Sequence, residues 1–281
     1  LNEHNDVANS REFIGSADID YKVHGFEDLR LHATLGADVA KGKQVTVNSP
    51  AYPDNTYNYY GYHGSESILK RNLSLSAYAQ YYHDFNDKAK NHFDIMGGYE
   101  YQHFWKGTDN NYRGYYPGTN NDESLRGKAY NETYKWYRTE NYLVSFFGRA
   151  NWSLMDRYYV TATVRDDGSS RFKDHWAVFP SFAFMWKVNE ENNLKDIKWL
   201  SDLKLRLGWG QTGQQDVNND YAWIPTYTKN SDKNTLYPAS DDGTLYRPDN
   251  YTPKLKWETT TTYNIGVDWG LLDQRLSGSV D

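Results

Sequence analysis

Ten stretches of the sequence alternate apolar and polar residues, and this period of two constrains the fold more than any other feature. In 29–39 every odd position is apolar, whereas Arg30, His32 and Thr34 fill even positions. Successive side chains of a β-strand point to opposite faces, so the pattern predicts strands with one apolar and one polar face. A barrel that crosses an outer membrane needs such strands, because lipid contacts its outside while its interior is wet.

The connections between these stretches alternate between short and long. The predicted strands are 11–23, 29–40, 71–82, 91–105, 140–153, 158–167, 178–188, 203–211, 257–271 and 275–281. The short connections are 24–28, 83–90, 154–157, 189–202 and 272–274, and the long ones are 41–70, 106–139, 168–177 and 212–256. Short turns at one rim and long loops at the other are typical of outer-membrane barrels. We therefore predict an all-β chain that forms about ten strands of a larger antiparallel transmembrane β-barrel, with short periplasmic turns and long extracellular loops.

The composition agrees with this prediction and excludes several other classes. Aromatic residues make up 17% of the 281 residues, and the 26 Tyr and 10 Trp suit membrane–water boundaries. No run of about eighteen apolar residues occurs, which excludes a transmembrane helix. The absence of Cys excludes disulfides and thiolate metal sites. A net charge of −6 without a Lys/Arg cluster argues against a nucleic-acid partner.

Facing can be predicted for individual strands. In 158–167 we assign Tyr158, Val160, Ala162 and Val164 to lipid, and Thr161, Thr163 and Arg165 to the lumen, because a charge on the lipid side is costly. Aromatic residues at strand ends are expected to form interfacial girdles. These girdle residues are Trp105, Trp152, Tyr158, Trp186, Trp209 and Trp269.

A soluble all-β protein, such as a propeller, is the alternative architecture. It would have shorter strands and more even connections, and no blade-like period repeats in the sequence. The final residues, 275–281, have the pattern of only half a strand. We therefore expect the sequence to be a segment of a larger barrel domain.

Four segments of the second half match a known family in order and spacing. They are RYYVTATVRDDGSSRF (157–172), FPSFAFMWKVNEE (179–191), LKLRLGWGQTG (203–213) and LKWETTTTYNIGVDWGLLDQRLSGSVD (255–281). With these segments the chain resembles the SusC/RagA-like family of TonB-linked outer-membrane transporters. The most specific elements are Arg-x-Asp-Gly-Ser-Ser-x-Phe at 165–172 and Leu-x-Trp-Glu at 255–258.

The resemblance implies import of a large nutrient, a glycan or a peptide, across the outer membrane of a Gram-negative bacterium of the Bacteroidota type. It implies a SusD-like surface lipoprotein as a lid, energy from the TonB complex, and contact with outer-membrane lipid. The plug domain, the TonB box and the terminal strand of such a transporter are expected to lie outside 1–281. A porin or adhesin barrel without TonB coupling and a polysaccharide-acting β enzyme stay open as alternatives.

Two aromatic clusters in the predicted long loops are the candidate contacts for cargo or for a lid protein. Tyr rings give a large contact area at low entropic cost, and neighbouring Asn, Asp and Gly add adaptable hydrogen bonds. The alternative is that these rings only pack the loops together. The candidate residues are Tyr52, Tyr57, Tyr59, Tyr60, Tyr62, Tyr112, Tyr115, Tyr116, Trp136 and Tyr137.

Two polar motifs have a functional and a structural interpretation. The segment 165–171 could form a charged rim that binds a ligand, but we favour a turn in which Asp and Ser side chains bond the backbone and Arg pairs with Asp. Asp216, Asn218 and Asp220 have the first spacing of a Ca²⁺ loop, but Tyr221 and Tyr227 replace its Gly and Glu, so we favour a polar loop.

No catalytic or cofactor site is predicted. The eight His are scattered without metal-ligand spacing, and no phosphate loop, nucleophile elbow or paired carboxylates appear. We therefore expect no metal, no cofactor and no enzymatic activity.

Overall fold

The computed structural model describes residues 4–49, 61–85, 89–115, 129–217, 219–230 and 245–281. Ten strands form one sheet in the order β1-β2-β3-β4-β5-β6-β7-β8-β11-β12, and β9 pairs with β10 in a separate hairpin. The strands are β1 (His4–Lys22), β2 (Leu29–Asn48), β3 (Tyr62–Asp84), β4 (His92–Tyr115), β5 (Ala129–Leu154), β6 (Tyr158–Ser169), β7 (Trp176–Lys187), β8 (Leu200–Gln214), β9 (Tyr227–Asn230), β10 (Leu245–Pro248), β11 (Glu258–Leu271) and β12 (Leu276–Val280). The predicted all-β fold with ten antiparallel strands is confirmed.

Several strands are longer than predicted. The predicted long connections 41–70 and 106–139 begin and end in strand, because β2 reaches Asn48, β4 reaches Tyr115 and β5 begins at Ala129. The hydrophobic alternation stops earlier than the backbone pairing, since polar residues can continue a ladder that satisfies every N–H and C=O group. The hairpin of β9 and β10 lies inside the predicted long connection 212–256 and was not predicted.

The short turns agree with the predicted tight hairpins. Met155, Asp156 and Arg157 join β5 to β6, and the first two have positive φ (57° and 54°), as in hairpin turns that match the strand twist. The connection 189–202 contains a single 3₁₀ turn, Val188–Glu190, at its start. No helix in the described part of the chain is long and apolar enough to cross a membrane.

The chain divides into two compact units. The first comprises Leu1–Ala17, Leu35–Leu75 and Gln102–Asn141, and the second comprises Asp18–Thr34, Ser76–Tyr101 and Tyr142–Asp281.

In the second unit the strand register sorts side chains into an apolar and a polar face. One row across β6, β7, β8 and β11 consists of Ala162, Phe182, Trp209 and Tyr263. The neighbouring row consists of Thr163, Ser181, Gly210 and Thr262. Phe182 and Tyr263 remain 45% and 76% exposed, so the first row forms an exposed apolar face. The predicted division of β6 between two faces agrees with this register.

The polar face of the second unit carries ion pairs and the small core. Arg206 binds Asp268 with an Nη2–Oδ1 distance of 2.8 Å. Among the described residues, the buried apolar side chains are Phe172 and Phe179. A soluble domain of this size would bury a far larger apolar core. The distribution of apolar side chains is therefore that of a barrel wall, with its apolar surface outside.

The first unit has the same two faces. On the polar face, Asn72 Nδ2 donates to Asp38 Oδ2 (3.0 Å) across β2 and β3. Alternation turns Leu35 and Leu73 to the opposite face, where they are 55% and 47% exposed.

Candidate functional site

Two of the predicted contact residues meet in the first unit. Tyr62 begins β3 and Tyr112 lies near the end of β4, and their rings stack with a centroid distance of 6.3 Å and an interplanar angle of 21°. The two positions come from different predicted clusters, 50 residues apart in the sequence. Both have the even parity of Asn72, whose side chain lies on the polar face of this unit, so the tyrosine pair (Tyr62 and Tyr112) lies on that face.

Trp136 and Tyr137 are adjacent on β5 and therefore lie on opposite faces. They are exposed by 65% and 58%. Arg138 lies over the Trp136 ring at 5.9 Å from its centroid, on the face opposite to Tyr137. The sequence placed Trp136 and Tyr137 in one cluster, and the structure separates them.

The remaining predicted contact residues cannot be placed. Tyr52, Tyr57, Tyr59, Tyr60 and Tyr116 lie outside the described residues, and of Tyr115 only the backbone is described, at the end of β4.

A cluster of arginine and tryptophan residues in the first unit was not predicted from the sequence. Arg71 and Arg138 both lie over the Trp105 ring, at 4.1 Å and 5.9 Å from its centroid. The guanidinium of Arg138 also donates from Nη2 to Asp109, at 2.8 Å to Oδ1 and 3.0 Å to Oδ2. Such cation–aromatic contacts stabilise a cation by about 0.5–1 kcal/mol at exposed sites. The strand alternation of β3, β4 and β5 was the signal that could have predicted this cluster.

The side chains of the motif at 165–172 bind neighbouring strands and the local backbone, which agrees with the structural interpretation that we favoured. Arg165 donates from Nε to Asp167 Oδ1 (2.7 Å) and from Nη2 to Glu100 Oε2 (2.5 Å) and Ser145 Oγ (2.9 Å). Ser145 is fully buried. The Ser170 hydroxyl accepts from the Tyr142 backbone N–H at 3.0 Å. These bonds connect β4, β5 and β6 on the polar face.

The carboxylates with Ca²⁺-loop spacing are held by an arginine. Arg171 Nε donates to Asp220 Oδ1 at 2.8 Å, and its Nη1 lies 3.5 Å from Asp216 Oδ1. Asn218 lies outside the described residues. The polar-loop interpretation of Asp216 and Asp220 therefore agrees with the structure. Within the described residues, no group of three or more His, Asp or Glu side chains could hold a metal ion.

The two most specific family motifs contact each other. Trp257, from Leu-x-Trp-Glu, packs against Phe172 and Phe179 with centroid distances of 4.9 Å and 5.5 Å. Its indole N–H donates to the His175 carbonyl at 3.0 Å. Both Phe rings are buried, so this contact forms the packed core of the second unit. The spacing of these motifs therefore reflects packing.

Ionic contacts hold the short turns of the second unit. Lys90 Nζ donates to Asp156 Oδ2 at 2.5 Å, which raises the pKa of Lys90 and lowers the pKa of Asp156. Glu191 accepts from the Tyr158 hydroxyl (2.5 Å) and the Trp186 indole (3.1 Å), and these donors lower the pKa of its carboxyl.

Comparison with known proteins identifies the family. The family model "TonB dependent receptor-like, beta-barrel" matches residues 2–281. The chain belongs to the TonB-dependent receptor β-barrel family. This confirms the resemblance noted from the sequence and the predicted fold class.

The receptor chain has close relatives. It is 47% identical over 284 residues to the TonB-dependent receptor SusC of Bacteroides thetaiotaomicron, a match that covers 99% of this chain and 27% of that protein. It is 30% identical over 222 residues to the TonB-dependent receptor P3 of Formosa agariphila, with 78% and 22% covered. The chain thus spans about a quarter of the length of these relatives.

A solved structure has the same fold. The receptor chain superposes on part of the RagAB peptide transporter with a TM-score of 0.82 and 21% sequence identity, covering 99% of this chain and 30% of that one. At this identity the similarity establishes the barrel fold.

Proposed function

We propose that the intact protein is a TonB-dependent outer-membrane transporter that imports a glycan or a peptide, together with a SusD-like surface lipoprotein as its lid. The observation that carries this proposal is the 47% identity to SusC over 99% of the chain. The described residues contribute the wall of the barrel, and they are not proposed to catalyse a reaction.

The exposed apolar face supports placement in a membrane. Val164 on β6, Phe182 on β7 and Ile265 on β11 are large apolar side chains that are 49%, 45% and 67% exposed in the second unit. A contiguous exposed apolar face of this kind indicates a lipid or protein contact. We propose outer-membrane lipid as its solvent, with the short turns on the periplasmic side.

The polar-face tyrosines are our proposed contacts for cargo or lid. The tyrosine pair and Tyr137 lie on the polar face of the first unit, which in a barrel wall is the luminal side. Trp136 lies on the other face, beside Arg138, and is a poorer candidate. Tyr62, Tyr112 and Tyr137 are therefore the first residues to test.

Uptake measurements in cells can test the transport function. A strain that lacks the gene should lose uptake of one member of a panel of labelled glycans and peptides, and the intact gene should restore it. Removal of TonB should abolish that uptake without changing the amount of folded barrel. Uptake that persists without TonB would contradict the proposal and favour a diffusion porin.

A further inference from the structure

Five cations lie together in the first unit, and among the described residues Arg138 alone of the five pairs with a carboxylate, that of Asp109. Arg11 is on β1, Lys41 and Lys43 are on β2, Arg71 is on β3 and Arg138 is on β5. We call these five residues the cationic band. Arg11, Lys41, Lys43 and Arg71 are exposed and, within the described residues, make no ion pair and no side-chain hydrogen bond.

Hydrogen bonds across the strands define which face the band occupies. Gln44 Nε2 donates to Asp6 Oδ2 at 2.9 Å across β1 and β2, and Asn72 donates to Asp38 across β2 and β3. These even-numbered residues lie on the polar face. The band residues of β1, β2 and β3 are odd-numbered, so they lie on the opposite face, together with the exposed Phe13.

The same hydrogen bonds show which side chains of neighbouring strands lie opposite each other on that face. The register that joins Asp38 to Asn72 places Val39 opposite Arg71. Lys41 lies two residues further along β2, away from Leu35. The cations therefore follow Leu35 and Leu73 along this face, and the exposed Val7 and Val47 lie beyond them. Arg138 continues the band onto β5, because Arg71 and Arg138 both lie over Trp105.

Negative charge is confined to the other face of β1, β2 and β3. Within the described residues of these three strands in this unit, Asp6, Glu12, Asp38 and Glu66 all occupy even positions, and no odd position holds an Asp or Glu. On β4, Asp109 lies on the band's face and pairs with Arg138. Lysine at a sheet edge can prevent edge pairing. That role does not account for the band, since β2 and β3 are paired on both sides in the sheet order.

We propose that the cationic band binds the phosphate groups of anionic lipid in the outer leaflet of the membrane. A lipid matches both parts of this surface, because its acyl chains suit Phe13, Leu35 and Leu73 while its phosphates suit the adjoining cations. Lys and Arg side chains lay their apolar stems along such a surface and hold the charge at headgroup depth. Trp at this level adds an interfacial anchor. The inference rests on the membrane location proposed above.

Charge removal on each face of the first unit tests the proposal. The intact protein carries either Arg11→Gln, Lys41→Gln and Arg71→Gln together, or the matched control Lys70→Gln, Lys106→Gln and Lys135→Gln. The control residues lie on the polar face of β3, β4 and β5 and remove the same number of cations. The probe is diphosphoryl lipid A titrated into the detergent-solubilised protein, with bound lipid counted by native mass spectrometry. Lipid A without phosphates is the second probe.

Each cation near a charged bilayer surface contributes about a fivefold change in binding. The triple variant should therefore bind diphosphoryl lipid A at least about tenfold more weakly, whereas the control should change less than about twofold. Wild-type protein should bind the dephosphorylated lipid as weakly as the variant. Heat-modifiable migration of both variants verifies that the barrel is folded.

Two results would overturn the inference. One is equal binding by wild type and the band variant, or equal loss in the control. The other is a band variant that changes the oligomeric mass with lipid binding unaltered, since the band would then be an interface between copies. TonB-dependent uptake by the same proteins is measured separately. If uptake persists while either of these two results is found, the lipid proposal fails and the transport function stands. If wild-type protein shows no TonB-dependent uptake, the transport function itself is wrong.

Discussion

The two faces of β6 and β7 allow one sharp test of the barrel assignment. Ala162 on β6 lies in the exposed apolar row, directly opposite Phe182 of β7. Ala183 is the next residue along β7 and lies opposite Thr161 and Gly208, on the polar face. Ala162→Arg and Ala183→Arg are therefore identical substitutions at nearly equal depth, on opposite faces.

The expected difference follows from where the guanidinium must lie. Arginine on the lipid face near the bilayer midplane costs roughly 2–4 kcal/mol. That cost would lower the ratio of folded to unfolded barrel by about 30- to 700-fold for Ala162→Arg. At Ala183 the new side chain extends into a wet interior between small neighbours, so we expect a change of about 0.5 kcal/mol or less.

The assay is folding of the intact protein into lipid vesicles over a range of urea concentrations, read as the heat-modifiable band on gels. Ala162→Arg should lower the urea midpoint, and Ala183→Arg should leave it close to wild type. Equal midpoints for the two variants, or the reverse order, would refute the assignment of the apolar row to lipid. The soluble β alternative would then have to be reconsidered.

Two further predictions concern cargo and the turns. The double variant Tyr62→Ala, Tyr112→Ala should raise the half-saturating cargo concentration several-fold in uptake assays or weaken lid binding several-fold in binding assays. The control Trp136→Ala should change neither quantity. A double variant with unchanged uptake and unchanged lid binding would exclude these two rings as contacts. Asp156→Asn keeps a residue that tolerates positive φ but removes the negative charge that pairs with Lys90, so it should lower the urea midpoint at pH 7. Lys90 lowers the pKa of Asp156, so the stability that this ion pair adds is present above the ordinary value of 3.8 and is lost as the pH falls through the lowered pKa. The difference in urea midpoint between wild type and variant should therefore shrink at pH 3, and an unchanged difference would contradict this prediction.

The sequence predicted the part of each strand with an apolar face well and its polar extension poorly. Alternation is strong in 29–39 because one face is uniformly apolar, and the strand there is as expected. Beyond the apolar segment, β4 and β5 continue with Lys, Thr, Asn and Tyr, whose order carries no period-two hydrophobic signal. Backbone pairing alone continues the ladder, so strand length could not be derived from side-chain pattern.

The candidate site shows a second limit of sequence patterns. The high frequency of Tyr and Trp in these segments predicted an aromatic surface. That frequency does not indicate on which face of a strand each ring lies. The adjacent residues Trp136 and Tyr137 lie on opposite faces because both belong to the strand β5. Tyr62 and Tyr112 meet only because β3 and β4 pair in one register. The contact is a property of pairing between distant segments, which a single sequence does not contain.

Alternation also separates two roles that the aromatic residues of the first unit could serve. On the polar face Tyr62 and Tyr112 stack on each other, whereas on the other face Trp105 lies against Arg71 and Arg138. Stacked Tyr rings beside polar groups suit a neutral ring or a peptide chain. Trp beside arginine and exposed leucine suits the boundary between acyl chains and phosphates. A shift of one residue in the register of β5 would exchange Trp136 and Tyr137 between these faces. The register of β4 and β5 therefore determines which aromatic residues lie on the proposed luminal face and which lie on the proposed lipid face.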